Sequence, residues 1–100
     1  MNEYIGRTLK LVRSYHDLSQ IDVANKLGIS RSYLSELEAG RKTPSMDLLG
    51  QYSHEFSVPM STLMLISEGF EENSITGRMK KAATDKAIRL LEWVEARKNN

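Results

Sequence analysis

Cysteine is absent from the 100 residues, which excludes disulfide staples, thiolate metal ligands and a thiol nucleophile, and makes a reducing, cytoplasmic compartment the expectation. Proline occurs only at Pro44 and Pro59, and no stretch alternates apolar and polar residues with period two, so strands are disfavoured. No apolar run approaches the roughly 18–20 residues of a membrane span, and Met1-Asn2-Glu3-Tyr4-Ile5 lacks the basic-then-apolar pattern of a secretory leader. Neither a membrane protein nor a secreted one is expected. His16 and His54 are the only histidines, and no His-Glu-x-x-His spacing or glycine-rich phosphate loop occurs, so neither a metal site nor a cofactor is expected. Ser14, His16 and Asp17 crowd one helix end and cannot assemble a nucleophilic triad. An enzyme is therefore not expected.

What is present suffices for one small domain with an appended helix. Apolar residues make up 40% of the chain and charged residues 27%, which is a globular balance and not that of a disordered polyelectrolyte. The net charge of +1 selects no partner. Residues 1–44 carry seven Lys/Arg against five Asp/Glu and residues 45–100 seven against eight, so any electrostatic footprint must be a local patch.

The periodicity predicts an all-α chain. Ile5, Leu9 and Val12 give the first helix, over Glu3 to Tyr15, an apolar stripe. Ser19 caps a second, with Asp22 three residues on in a variant of the capping box, and Gly28 stops it after Val23, Ala24 and Leu27. Ser30 starts a third at once, which runs to about Ala39 and ends at Gly40. Thr43-Pro44-Ser45 opens a fourth carrying Met46, Leu48, Leu49, Tyr52 and Phe56. Val58-Pro59 opens a fifth with Leu63, Met64 and Ile66. Residues 68–77 have the composition of a linker, in which Phe70 and Ile75 are the groups able to pack. A last helix begins at Arg78 or at Thr84 and reaches Arg97.

Two short helices joined by a tight glycine-containing turn make a helix-turn-helix pattern, whose second helix enters the DNA major groove. At about 100° per residue, Leu34 and Leu37 form a narrow apolar seam on the third helix, while Arg31, Ser32, Ser35, Glu36 and Ala39 share a small polar face. Its serines reduce helix propensity by a few tenths of a kcal/mol each relative to alanine, so close approach to a base edge is one reason to have them.

Leu18-Ser19-Gln20-Ile21-Asp22-Val23-Ala24-Asn25-Lys26-Leu27-Gly28-Ile29-Ser30, then Tyr33-Leu34-Ser35-Glu36-Leu37-Glu38-Ala39-Gly40-Arg41 and Pro44-Ser45, resembles the lambda-repressor-like helix-turn-helix family, also called the xenobiotic-response-element type. The likeness covers about residues 5–66. It implies a five-helix domain that binds double-stranded DNA, commonly as a dimeric repressor or regulator. Carried over by position, Gln20 is implied to bond a phosphate and brace the recognition helix, and Arg31, Ser32 and Glu36 to read bases. Arg31 suits guanine O6 and N7, and Glu36 suits cytosine N4. Ser35 and Tyr33 join them, Tyr33 within reach of the backbone or a thymine methyl, while Arg41 and Lys42 follow as phosphate contacts. The resemblance also implies a partly buried ion pair between Arg13 and Glu38 that locks the first helix to the third.

The domain expectation is thus 1–67 for the DNA-binding unit, 68–77 for a linker and 78–100 for a C-terminal helix. Ala87, Leu90, Leu91, Trp93 and Val94 spread apolar groups over more than half of that helix, a face too broad for one neighbour. Three uses fit: packing on its own domain, self-association, or another protein. The breadth favours a homodimer, with Leu63 and Met64 contributing. A regulator or repressor on a palindromic operator is the functional expectation, and an antitoxin-type protein that binds a partner and represses its own operon is the alternative.

Overall fold

The computed structural model describes residues 2–74 and 76–98, and every regular element among them is helical. In chain order these are α1 (Asn2–Tyr15), α2 (Gln20–Leu27), α3 (Arg31–Glu38), α4 (Met46–Phe56), α5 (Met60–Glu72) and α6 (Gly77–Lys98). The molecule has the all-α class and the five-helices-plus-one order read from the sequence.

α1 is the central strut, packed against both α3 and α5. Its stripe of Ile5, Leu9 and Val12 is buried with Val23 and Ala24 of α2, Leu34 and Leu37 of α3, Tyr52 and Phe56 of α4, and Leu63 and Ile66 of α5. Two polar links cross this core. The Tyr52 hydroxyl donates to the Leu9 carbonyl, and burial together with the nearby Glu38 charge pushes its pKa up, which keeps it a neutral donor. Thr8 Oγ1 and Ser67 Oγ lie 2.7 Å apart, one hydroxyl donating to the other, and fix α5 in register on α1.

The tail departs from the sequence expectation. α5 continues through Glu72, so 68–72 is helix and not linker. The cause is Phe70, which is fully buried in the core and draws the last turn inward. The Asn73 amide then donates to the Gly69 carbonyl at 2.8 Å and closes the helix. Ile75 lies outside the described residues. Of the two starts open for the last helix, the earlier is adopted, because Thr76 Oγ1 accepts the Met79 N–H at 3.1 Å as a cap.

α6 folds back on its own chain. Ala83, Ala87 and Leu91 join the core, and Val94 is buried too. Leu63, Ala87, Leu91 and Val94, expected at an interface between molecules, are therefore covered within one chain. Met64 and Leu90 pack partly against the core, and Trp93 alone of the seven is exposed. Against this broad apolar face α5 supplies one neighbour, and α1 contributes a second contact. The radius of gyration, 13.0 Å, matches the ~13 Å of a single 100-residue domain, so α6 does not project.

Arg7 makes that second contact. Its guanidinium lies 4.1 Å over the Phe70 ring and donates to Thr84 Oγ1 at 3.0 Å, joining α1, α5 and α6. At the far end Lys98 Nζ donates to the Phe56 carbonyl at 2.9 Å, at the C-terminus of α4. Arg7→Ala is expected to cost about 1–2 kcal/mol through the lost cation–π contact and hydrogen bond. Hydrogen exchange should quicken along α6 and stay unchanged in α3; equal protection in α6 would contradict the clamp.

Candidate nucleic-acid interface

The helix-turn-helix is built from local signals. The Ser19 hydroxyl accepts the Asp22 N–H while the Asp22 carboxylate accepts the Ser19 N–H, both at 3.1 Å, a reciprocal cap on α2. These bonds hold the Asp22 carboxyl below the usual carboxylate range. A lowered pKa means that the cap stabilises α2 above the unfolded pKa of Asp22 and is lost as pH falls through the lower folded value. Ser19→Ala removes the acceptor for an otherwise orphaned N–H, and a loss of about 1 kcal/mol in a denaturant titration is the expected result.

Gly28 then turns the chain with φ 69° and ψ 30°, the left-handed region open to glycine, and Ile29 N–H reaches back to the Ala24 carbonyl at 3.0 Å. Ser30 caps α3 by accepting the Tyr33 N–H at 3.0 Å. α3 ends in a Schellman motif: Gly40 at φ 78° donates to the Leu37 carbonyl at 3.1 Å, and Arg41 N–H to the Glu36 carbonyl at 2.9 Å. This closure sets Arg41 and Lys42, both exposed, immediately beyond the helix end.

α3 turns Leu34 and Leu37 wholly inward. Arg31 and Ser32 are exposed, and Tyr33, Ser35 and Glu36 are half-buried. Of the five residues expected to read bases, Arg31 and Ser32 are the most open, whereas Tyr33 packs partly against the core.

The inward end of α3 carries a charge. The Glu38 side chain is 3% exposed and receives Arg13 in a fork, Nε to Oε2 at 2.7 Å and Nη2 to Oε1 at 2.9 Å. Arg13 Nη1 also donates to the Leu18 carbonyl at 2.9 Å, so one guanidinium fastens α1, the α1–α2 connection and α3. The Glu38 hydrogen bonds raise the Arg13 pKa, against the opposing effect of burial. Gln20 Nε2 donates to Glu38 Oε1 at 3.0 Å. One amide N–H of Gln20 is therefore held by the protein, and the rest of that half-buried amide remains for other contacts.

Two glycines also position α3: Gly6, which was not singled out from the sequence, and Gly40, expected there only as the stop of the helix. Gly6 on α1 lies so close to the end of α3 that a Cβ there would come within 2.3 Å of the Leu37 carbonyl oxygen. At Gly40 an added Cβ would lie 2.7 Å from the Glu3 Cα. Glycine inside a helix is unfavourable without a packing reason, and that was the available signal at Gly6. His16 and His54 take no part in this surface: His16 packs 4.9 Å from the Phe56 ring with Nδ1 2.8 Å from the Val12 carbonyl, and His54 is exposed on α4.

Residues 9–63, from α1 into α5, match the family described as helix-turn-helix. The chain belongs to the helix-turn-helix family. It is similar to the immunity repressor protein of Bacillus phage phi105, with 30% identity over 81% of this chain and 63% of that protein. It is also similar to antitoxin PezA of Streptococcus pneumoniae, 39% identical over 54% of this chain and 34% of the antitoxin. This helix-turn-helix chain therefore spans less than two thirds of either relative. The crystal structure of the clp gene regulator ClgR from C. glutamicum superposes with a TM-score of 0.66 at 28% identity, covering 76% of this chain and 94% of that one. The likeness extends past the helix-turn-helix segment itself. No helix among the described residues is long and apolar enough to cross a membrane.

Proposed function

We propose that this chain is a sequence-specific regulator of transcription that binds double-stranded DNA in the cytoplasm, acting as a repressor when its operator overlaps a promoter. The observation that carries the reading is the construction of α3: leucines and a paired carboxylate fasten one side, and Arg31 and Ser32 stand free on another. With α3 in the major groove, Arg31 donates two hydrogen bonds to guanine O6 and N7 and Glu36 accepts from cytosine N4. Ser32 and Ser35 are small enough to let the helix approach base edges, and Tyr33 reaches the sugar–phosphate backbone or a thymine methyl. Gln20, Arg41 and Lys42 take phosphates and fix register without reading sequence. A two-fold dimer sets two such helices about 34 Å apart and selects a roughly palindromic operator.

Fluorescence anisotropy on DNA from upstream of the gene, titrated across salt concentrations, tests these roles. Arg31→Ala is expected to cost about 1–3 kcal/mol and to relax preference at one base pair. Arg41→Ala should weaken all sequences alike and lower the salt slope by about one. Equal, sequence-independent losses from both would refute the assignment.

The identity with antitoxin PezA supports a second reading, in which the chain also binds a toxin-like partner and represses its own operon. Stable co-purification with the product of an adjacent gene distinguishes it from a stand-alone regulator.

A further inference from the structure

Along a flank of α1 that α3 does not cover, two hollows run into one another. Glu3, Tyr4 and Arg7 line the first with Ser74 and Lys80, and Arg7, Lys10, Leu11 and Ser14 line the second with Phe70 and Thr84. Arg7 belongs to both, so they make one trough between α1 and the start of α6. On a wheel of about 100° per residue, Arg7, Lys10 and Ser14 project roughly a quarter turn away from Gly6 and Arg13, which seat α3. The trough therefore opens beside the α3 surface and not on it. Its floor is apolar, made by the half-buried Tyr4 and Leu11 and the buried Phe70. Its rim sets three cations, Arg7, Lys10 and Lys80, against the single carboxylate of Glu3. None of these four forms an ion pair among the described residues. Arg7 is seated but not saturated: both of its hydrogen bonds, to Thr84 Oγ1 and to the Lys80 carbonyl, use Nη2. Nε and Nη1 have no acceptor among the described residues, where no buried side-chain nitrogen or oxygen lacks a partner, so both are accessible.

We infer that this trough docks an acidic segment of another protein, one that carries an apolar side chain between its carboxylates. The three cations select a negative ligand, and the floor and Glu3 select among negative ligands. A nucleic-acid strand brings a phosphate at every step, so it would set charge against Glu3 and leave the apolar floor unmatched. A peptide instead places carboxylates at Arg7, Lys10 and Lys80, an apolar group over Leu11 and Phe70, and an uncharged residue beside Glu3. Arg7 is prepared for this role. Its guanidinium is already held 4.1 Å over the Phe70 ring and by Thr84, so pairing it with a carboxylate orders little that is not ordered already. From Glu3 to Ser14 the trough follows α1 for about 16 Å, which matches three turns of a helix or about five extended residues. The segment is thus short and its contact transient. A partner held here leaves Arg31 and Ser32 uncovered, so the chain can hold DNA and a second protein together. The inference goes beyond DNA binding and does not depend on α3 reading bases.

Selection of a random phage-displayed peptide library on the immobilised full chain tests the inference, followed by anisotropy titration of the enriched peptides carrying fluorescein. The expected peptides have two or more Asp or Glu residues around an aromatic or aliphatic one. Lys10 and Lys80 are exposed, so Lys10→Glu combined with Lys80→Glu should leave the circular dichroism and the melting temperature unchanged. The same double change should raise the peptide dissociation constant by about tenfold or more. Peptides resynthesised with Lys in place of Asp and Glu should bind that variant and not the original chain. Arg41→Ala, at the end of α3, should leave peptide binding as it was. Three results would overturn the assignment: no enrichment, enriched peptides without net negative charge, or acidic peptides that respond to Arg41→Ala and ignore Lys10→Glu with Lys80→Glu. A fluorescein-labelled RNA of mixed sequence that binds the original chain and is lost from the double variant would give the trough to nucleic acid and overturn it as well. The base preference assigned to Arg31 should persist in the double variant, so failure of the trough and failure of the DNA reading are told apart.

Discussion

Replacing Arg13 with methionine is expected to destabilise the chain by about 3–5 kcal/mol, because the Glu38 carboxylate would stay buried with only the Gln20 amide to meet it. For a domain of this size the midpoint of thermal unfolding should fall by roughly 12 °C or more. The loss is mainly that of an uncompensated buried charge and not of a favourable attraction, so Arg13→Met combined with Glu38→Met should recover much of it. A double-mutant cycle by chemical denaturation measures the coupling directly. An unchanged midpoint for Arg13→Met would mean that the fork carries no net constraint. The consequence for DNA is indirect: Arg13 touches no base in the proposed arrangement but fixes where α3 sits, so Arg13→Met should weaken every operator together. Arg31→Ala should discriminate among them.

The parts of this architecture that were legible in the sequence are those settled within a few residues. Ser19, Gly28, Ser30 and Gly40 each cap or stop a helix through bonds to neighbours three to five positions away, so the turn and both helices of the motif could be placed before any contact was known. The seam of Leu34 and Leu37 was legible for the same reason, since helical period alone puts them on one side. The tail was not, because its outcome depends on partners distant in the chain. Residues 68–72 have the composition of a linker, and only the burial of Phe70 beneath Arg7 makes them helical. Likewise the wheel of the last helix gave the width of its apolar face but not what would cover it. Leu91 and Ala87 went to the interior and Trp93 to the surface, a partition decided by where α5 and α1 stand.

Gly6 is where local and tertiary preferences oppose each other most sharply, and Gly6→Ala measures which prevails. Propensity alone favours alanine within a helix by about 1 kcal/mol. Against this, the added methyl would stand 2.3 Å from the Leu37 carbonyl oxygen and 2.8 Å from that of Glu38, both backbone atoms that no rotamer change can move aside. α1 and α3 would have to separate, stretching the Arg13–Glu38 fork and opening the packing between the two helices, so a net loss of about 2–3 kcal/mol is expected. Gly50→Ala provides the control, since it too lies inside a helix, α4, and has nothing within 4 Å of the added Cβ. It should stabilise the chain by up to about 1 kcal/mol. Opposite signs in the two denaturation midpoints would show that contact with α3, and not helix propensity, governs position 6. Gly6→Ala should also weaken binding to every operator sequence by a similar factor, as expected if the seat of α3 is displaced while its exposed side chains remain intact. Matching gains in stability at both positions would mean that α1 and α3 can part without loss, and that α3 is less firmly held than its contacts indicate.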